Sequence, residues 1–153
     1  MKDRILSFAF VALLLALSTI AAQAQQPTKV ARIGFLDPST AAASEVLVDA
    51  FRQELSKLGW TEGKNIVIQY RFAEQKNDRL PELAGDLVRF KVDLIVAAST
   101  QPVLAAKSAT TTIPIVMTNA GDPVAAGLFA SLARPGSNVT GIASLTPELH
   151  TKG

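Results

Sequence analysis

The chain contains no cysteine among its 153 residues, and its one histidine is His150. Without cysteine it can form neither a disulfide nor a thiolate nucleophile, so an apolar core must stabilise the fold. A serine nucleophile needs a nearby base, and a lone histidine close to the end of the chain is a poor candidate. A metal site of the usual kind needs a cluster of His, Cys or carboxylate ligands, which the sequence does not offer. These absences argue against an enzyme and predict neither a metal site nor a cofactor.

The sequence also lacks the patterns that bind nucleic acids and nucleotides. The formal net charge is only +2, and no run of lysine or arginine forms a basic footprint. After Gly34 there is neither the G-x-G-x-x-G pattern of dinucleotide-binding loops nor the G-x-x-x-x-G-K pattern of phosphate-binding loops. We therefore expect no nucleic-acid partner.

The first 24 residues have the organisation of a secretory signal peptide. A positively charged start precedes an apolar run from Phe8 to Leu17 and a small-residue cleavage site at Ala22-Gln23-Ala24. A membrane anchor is the alternative, but the run is shorter than the roughly 18 to 20 apolar residues of a spanning helix. We expect residues 1–24 to be removed, no stable membrane insertion afterwards, and a periplasmic product, since no cysteine could carry a lipid anchor.

Apolar segments with strand character alternate with segments of helical periodicity. Such alternation predicts an α/β fold with a doubly wound parallel sheet, and we expect strand order 2-1-3-4-5. The second strand has one polar side and suits an edge, whereas the third is uniformly apolar and suits the sheet interior. The predicted strands are 30–36, 65–72, 94–98, 113–117 and 139–143. A short helix is predicted over 124–132, and the start of another at Thr146-Pro147-Glu148.

Two helices between these strands show an apolar face. The first helix places Leu47, Phe51, Leu55 and Leu58 at helical spacing and is expected to end at Gly59. The face predicted for the second helix consists of Leu80, Leu83, Ala84, Leu87 and Phe90.

Ligands of doubly wound sheets bind outside the carboxyl ends of the strands, where helix N-termini converge. The loops predicted at those ends are rich in hydroxyl and amide groups. Because unpaired N–H groups at helix starts hold anions, these loops predict a site for a group such as a carboxylate. The candidate ligand-binding residues are Ser39, Thr40, Ser99, Thr100, Gln101, Asn119 and Asp122.

Each candidate has a structural alternative. Ser39 and Thr40 suit the cap of the first helix, and Ser99 or Thr100 the cap of the third. Asp122 precedes Pro123 and suits a turn, or it accepts a hydrogen bond from a ligand ammonium.

Five blocks of the sequence resemble a known family. They read IGFLDPST, AFRQELSKLGWTEGKNIVIQYRFAE, RLPELAGDLVRFKVDLIVAAST, IPIVMTNAGDPVAAGL and SLARPGSNVTGIASLTPEL. In this order they resemble the amino-terminal lobe of the ABC-transporter substrate-binding proteins related to tryptophan-binding uptake proteins. The similarity extends from Val30 to Leu149.

The resemblance implies one lobe of a type I periplasmic-binding fold, in which two lobes close on a small molecule. It implies delivery of a solute, an amino acid or similar, to an ABC permease in the inner membrane. The loops after the first, third and fourth strands would hold the ligand, and they correspond to Ser39 with Thr40, Ser99 with Thr100, and Asn119 with Asp122.

The expected domain therefore covers residues 25–153 and ends before the second lobe. Two readings besides solute capture stay open: a ligand-sensing module of a membrane receptor, and a truncated fragment without function. A hydrolase would need a base from outside this chain. A signalling receiver domain is excluded, because it needs an acidic cluster at the strand ends and Asp37 is the only acid near the end of the first strand.

Overall fold

The structure is a computed structural model that describes residues 29–120, Gly127 and residues 138–143. In this part of the chain, strands and helices alternate as the sequence predicts. The elements are β1 (Ala31–Asp37), α1 (Ala41–Lys57), β2 (Ile66–Phe72), a 3-10 turn (Asn77–Arg79), α2 (Leu80–Arg89), β3 (Leu94–Ala98), α3 (Thr100–Ala109), β4 (Ile115–Ala120) and β5 (Val139–Ala143). Within these ranges, no helix is both long and apolar enough to span a bilayer.

All five strands form one parallel sheet in the order β2-β1-β3-β4-β5, which confirms the predicted fold class. Phe35 of β1 lies opposite Tyr70 of β2 on one side and Val96 of β3 on the other. The chain thus moves outward from β1 to β2 and then crosses back to β3. This reversal places the topological switch point between β1 and β3, where sheets of this kind bind ligands.

Helices cover the sheet on both faces, and each face has its own apolar cluster. On one face, Leu83 and Leu87 of α2 and Val103 of α3 pack with Leu36, Ile95 and Ile115 of the sheet. The other face packs Ile33, Phe35, Ile66, Ile68 and Val96 against Val48, Phe51 and Leu55 of α1. Because β1 and β3 are buried on both sides, their sequences are almost continuously apolar.

The buried stripe of α1 agrees with the predicted one at Phe51 and Leu55 and differs from it at Leu47 and Leu58. Ser44 and Val48 are buried and continue through Phe51 and Leu55, whereas Leu47 is 48% exposed. Leu58, also predicted to be in the core, is 76% exposed. The prediction was wrong at these two positions because helical spacing also allows the stripe through Val48, and because Leu58 lies beyond the last helical residue, Lys57. The buried stripe includes Ser44, whose hydroxyl donates a hydrogen bond to the Asp37 carboxylate.

The end of α1 confirms the role predicted for Gly59. Gly59 has a positive φ of 87°, its N–H donates to Ser56 O at 3.0 Å, and Trp60 N–H donates to Leu55 O at 2.9 Å. These two bonds form a Schellman motif, which needs the left-handed conformation that glycine adopts without a Cβ penalty.

β4 begins and ends later than predicted, because side chains hold residues 110–114 in a loop. Thr110 Oγ1 accepts from Ile113 N at 3.2 Å, and Asn138 Nδ2 donates to Ile113 O at 2.7 Å. The strand then runs to Ala120, so Asn119 belongs to β4 and not to a loop. Of the helix predicted over 124–132, the structure describes only Gly127, which is in a turn with a positive φ of 69°, so the prediction is wrong at that residue.

Side chains at the β2 edge form two polar and aromatic clusters. Phe90, predicted in the core, is 49% exposed, and the Arg71 guanidinium lies over its ring at 5.0 Å. On the opposite face, Tyr70 OH accepts from Arg52 Nε at 2.9 Å and donates to Glu62 at 3.2 Å. Burial raises the pKa of Tyr70 to about 12.

Tyr70 is the only tyrosine of the chain, so its ionisation can be followed directly. We expect tyrosinate absorbance in the folded protein to appear near a pKa of about 12, and in the urea-unfolded chain near about 10. Since the folded-state pKa is the higher one, Tyr70's contribution to stability is complete below pH 10 and is lost as the pH rises toward 12. An ionisation near pH 10 in the folded protein would contradict this.

Candidate functional site

The ends of β1, β3 and β4 form one polar edge of the sheet, which we call the ligand edge. Leu36 of β1 lies opposite Ala97 of β3, and Ala98 of β3 lies opposite Thr118 of β4. Neighbouring strands are about 4.8 Å apart, so the residues that follow these strands are neighbours in space. The topology therefore brings together three loop regions that are far apart in the sequence.

At the end of β1, a buried carboxylate organises the loop into α1. Asp37 is 4% exposed, and its Oδ1 accepts from Ser39 N at 2.7 Å and from Ser39 Oγ at 2.5 Å. Its Oδ2 accepts from Ser44 Oγ at 3.0 Å, and Ser44 is itself 3% exposed. The hydroxyl hydrogen of Ser39 is thus directed at the carboxylate, away from solvent.

Thr40 is the N-cap of α1. Its backbone is extended, with φ −94° and ψ 158°, and its Oγ1 accepts from Ala43 N at 3.2 Å. This is the structural alternative given above for Thr40, and a cap of this kind contributes about 1 kcal/mol. A ligand contact by Ser39 or Thr40 stays a prediction.

The loop after β2 supports the loop after β1 through main-chain hydrogen bonds. Ala73 N donates to Asp37 O at 2.9 Å, Glu74 N to Ser39 O at 3.0 Å, and Gln75 N to Pro38 O at 2.7 Å. Glu74 and Gln75 adopt positive φ angles of 55° and 62° in doing so. The main chain of the β1–α1 loop is therefore fixed from its outer side.

Ser99, at the end of β3, has a strained backbone. Its φ of 78° and ψ of 175° fall in a region that is essentially restricted to glycine. Ser99 occupies the N-cap position of α3 but makes no side-chain cap hydrogen bond, so the predicted capping by Ser99 is wrong. Its N–H donates to Thr118 O at 2.9 Å, which holds the strained residue against β4.

Thr100 and Gln101 form the first turn of α3, followed by buried Pro102. Thr100 is half-buried and Gln101 is exposed. Since proline has no N–H, the donors of this first turn are those of the two preceding residues. The Ser99 side chain at the N-cap accepts no hydrogen bond from these N–H groups, whereas Thr40 accepts one at the start of α1.

Asn119 lies beside Ser99 on the ligand edge. It has a positive φ of 54°, at an irregularity where the β4–β5 register shifts between Met117 and Ala120. Two residues with positive φ thus occupy neighbouring strand ends. Such conformations cluster at ligand sites in proteins. Asp122 lies outside the described residues, and its ligand role stays a prediction.

A groove between α1 and β2, which the sequence did not indicate, has a volume of about 390 Å³. Its floor includes Val48, Tyr70 and Phe72, and Glu45, Asp49 and Arg52 line its side. The helix periodicity alone could not reveal it, because Arg52 and Tyr70 are 18 positions apart in the sequence and belong to different elements. In the described ranges, no cluster of three or more potential metal ligands occurs.

Two substitutions of Ser99 distinguish the effect of its backbone strain on stability from the effect of its hydroxyl. We expect Ser99→Gly to stabilise the fold by about 1 kcal/mol, because relief of strain exceeds the added flexibility of the unfolded chain. Ser99→Ala keeps the strain and should change stability by less than about 0.5 kcal/mol. Urea unfolding of both variants measures the difference. A glycine variant less stable than the alanine variant would contradict the strained assignment.

Comparison with solved structures supports the same architecture. The ligand-free, open structure of a substrate-binding protein with adhesive properties from Clostridium difficile superposes with a TM-score of 0.71 and 36% identity, covering 76% of this chain and 40% of that one. The ABC domain in complex with L-Trp from Streptococcus pneumonia gives a TM-score of 0.68 and 26% identity. That match covers 74% of this chain and 38% of the other. A conserved domain protein from Vibrio cholerae superposes with a TM-score of 0.72 and 34% identity. That match covers 78% of this chain and 40% of the other.

Among curated proteins, a tyrosine-binding protein of Clostridioides difficile (strain R20291) is 43% identical over 91 residues. That match covers 60% of this chain and 26% of the relative. The chain thus spans well under half the length of the proteins it is similar to, and this coverage fits a single lobe.

The family comparison covers most of the sequence. Residues 33–150 match the family described as ABC transporter substrate binding protein. The match begins at Ile33, within β1, and includes the other four strands and every loop of the ligand edge. The described sheet has the strand order and helix arrangement expected for one lobe of a type I periplasmic-binding fold. The chain belongs to the ABC transporter substrate-binding protein family.

Proposed function

We propose that this chain is the amino-terminal lobe of a periplasmic solute-binding component of an ABC importer. In this role its ligand edge binds the carboxylate of an amino acid or a similar small molecule, without catalysis. The observation that carries the proposal is the start of α3, which has no side-chain cap and lies at the switch-point end of the sheet.

Electrostatics favour a carboxylate at that position. The N–H groups of Thr100 and Gln101 belong to the first turn of α3, where a helix carries partial positive charge. Thr100 and Asn119 add a hydroxyl and an amide within the same edge. Asp37, at the end of the neighbouring strand β1, is buried with both carboxylate oxygens already hydrogen-bonded. An anionic group can therefore approach without facing an exposed carboxylate of β1.

The relatives narrow the choice of solute. One is named a tyrosine-binding protein and another was solved with L-Trp, so we propose an aromatic amino acid as the first ligand class to test. In this proposal Ser99, Thr100, Gln101 and Asn119 contact the ligand, with Ser39 and Thr40 at the β1 side and Asp122 at the β4 side.

A complete site needs groups from a second lobe. Small-molecule pockets usually enclose most of the ligand surface, and one sheet edge supplies only one wall. We therefore propose that residues 25–153 act together with a second lobe and deliver the solute to an ABC permease in the inner membrane. Binding by this lobe alone should be in the millimolar range.

We propose binding without catalysis, and the serine hydroxyls described at the end of β1 support this. Ser39 and Ser44 both donate to the Asp37 carboxylate, and these hydrogen bonds hold the loop in place. The hydroxyls of the β1–α1 loop serve as structural donors.

An amide-shift titration tests the ligand class. We expect L-tyrosine and L-tryptophan to move the NMR signals of Thr100 and Gln101 and those of the neighbouring ligand edge. Tyramine, which has the same ring and amine but no carboxylate, should leave those signals in place. Equal effects of tyrosine and tyramine, or shifts spread over the α1–β2 groove, would contradict carboxylate binding at α3.

Amino-terminal sequencing tests the export step. We expect the protein recovered from the periplasm to begin near Gln25, because the small-residue site at Ala22-Gln23-Ala24 is the cleavage point. A product that keeps residues 1–24 would favour the sensory module of a membrane receptor over a soluble binding component.

A further inference from the structure

The start of α1 contains a buried polar cluster whose role the solute-binding proposal does not explain. Asp37, Ser39 and Ser44 form this cluster, which we call the carboxylate cluster. Asp37 and Ser44 are 4% and 3% exposed, and the hydroxyl oxygens of Ser39 and Ser44 lie 2.5 Å apart. In the part of the chain that is described, no lysine or arginine lies within ion-pair distance of Asp37.

A buried carboxylate without a cation is costly, and its hydrogen bonds must compensate for lost hydration. Asp37 has three donors, all supplied by residues two and seven positions later in the chain. Ser44 occupies a position of the buried stripe of α1 where a methyl-bearing side chain would add apolar contact. Stability alone would be served by an apolar pair at these two positions.

The cluster sets the geometry of the loop that faces the ligand edge. Through Ser39 N–H and Oγ it fixes the turn after β1, and through Ser44 it fixes the first turn of α1 against the end of the strand. Thr40 lies between these two anchored points. Its Oγ1 and the main chain beside it are therefore held in one position relative to β3 and the start of α3.

We propose that Asp37 is a positioning residue for ligand binding: its buried carboxylate, acting through Ser39 and Ser44, holds the β1–α1 loop in the shape that receives the solute. This inference rests on the proposed function for its affinity readout. Asp37 makes no contact with the solute. Its effect is to reduce the number of loop conformations that must be ordered when the ligand binds.

Two variants and one matched control test the proposal. Ser44→Ala removes the donor to Oδ2, and Asp37→Asn keeps the side-chain shape but leaves one acceptor where there were two. Ser56→Ala removes an exposed serine hydroxyl from the same helix and serves as the control. The measurements are amide hydrogen exchange at Ser39, the Ser39 amide proton shift, and the affinity for L-tryptophan by NMR titration.

We expect both cluster variants to speed exchange at Ser39 about tenfold, to move its amide proton upfield and to weaken L-tryptophan binding about tenfold. Ser56→Ala should leave all three unchanged. Cluster variants that lower the melting temperature but keep the wild-type affinity and Ser39 signal would overturn the proposal, because the cluster would then only stabilise the fold.

The two proposals fail in distinguishable ways. If the unaltered chain binds neither L-tyrosine nor L-tryptophan, the proposed ligand class is wrong. Faster Ser39 exchange in both cluster variants would then still support the positioning of the loop by Asp37. Wild-type exchange at Ser39 in both variants would overturn it whatever the ligand result.

Discussion

The fold depends on the burial of β1 and β3 on both faces of a parallel sheet. Parallel strands can be joined only by crossovers, and the helices of those crossovers must cover both faces to keep the strands out of water. In the described chain, α1 covers one face while α2 and α3 cover the other. This division forces the chain to reverse direction between β1 and β3. The ligand edge is therefore a consequence of how the core is buried.

The polar groups at that edge differ in how they are satisfied. At the end of β1, hydroxyl groups bond to a buried carboxylate and a threonine caps the helix. At the end of β3, the serine is strained, makes no side-chain cap hydrogen bond, and is held by a main-chain bond to β4. One wall of the edge is thus satisfied by hydrogen bonds within the protein, while at the other no side chain caps the first turn of α3. In the proposed binding role, the first wall lowers the entropy cost of binding and the second supplies donors to the ligand.

Sequence patterns predicted the sheet order, the interior position of β3 and the end of α1 at Gly59, and the structure confirms all three. These features depend on local composition and on general rules of chain connection. The errors arose where side chains act across the structure. Ser44 belongs to the buried stripe because its hydroxyl donates to the Asp37 carboxylate, and β4 begins late because Asn138 holds Ile113 outside the strand. Neither partner is visible from periodicity.

The amino-acid sequence by itself determined the α/β class, the absence of any thiol chemistry, and which loops carry hydroxyl and amide groups. It did so because strand and helix periods and glycine positions are local properties of the chain. Only the tertiary structure decided which of those groups still have donors to offer. Thr40 and Ser99 both precede helices, yet one caps its helix and the other is strained. The difference lies in their backbone angles, and at Ser99 a main-chain hydrogen bond to Thr118 of β4 holds the strained conformation, which no local pattern contains.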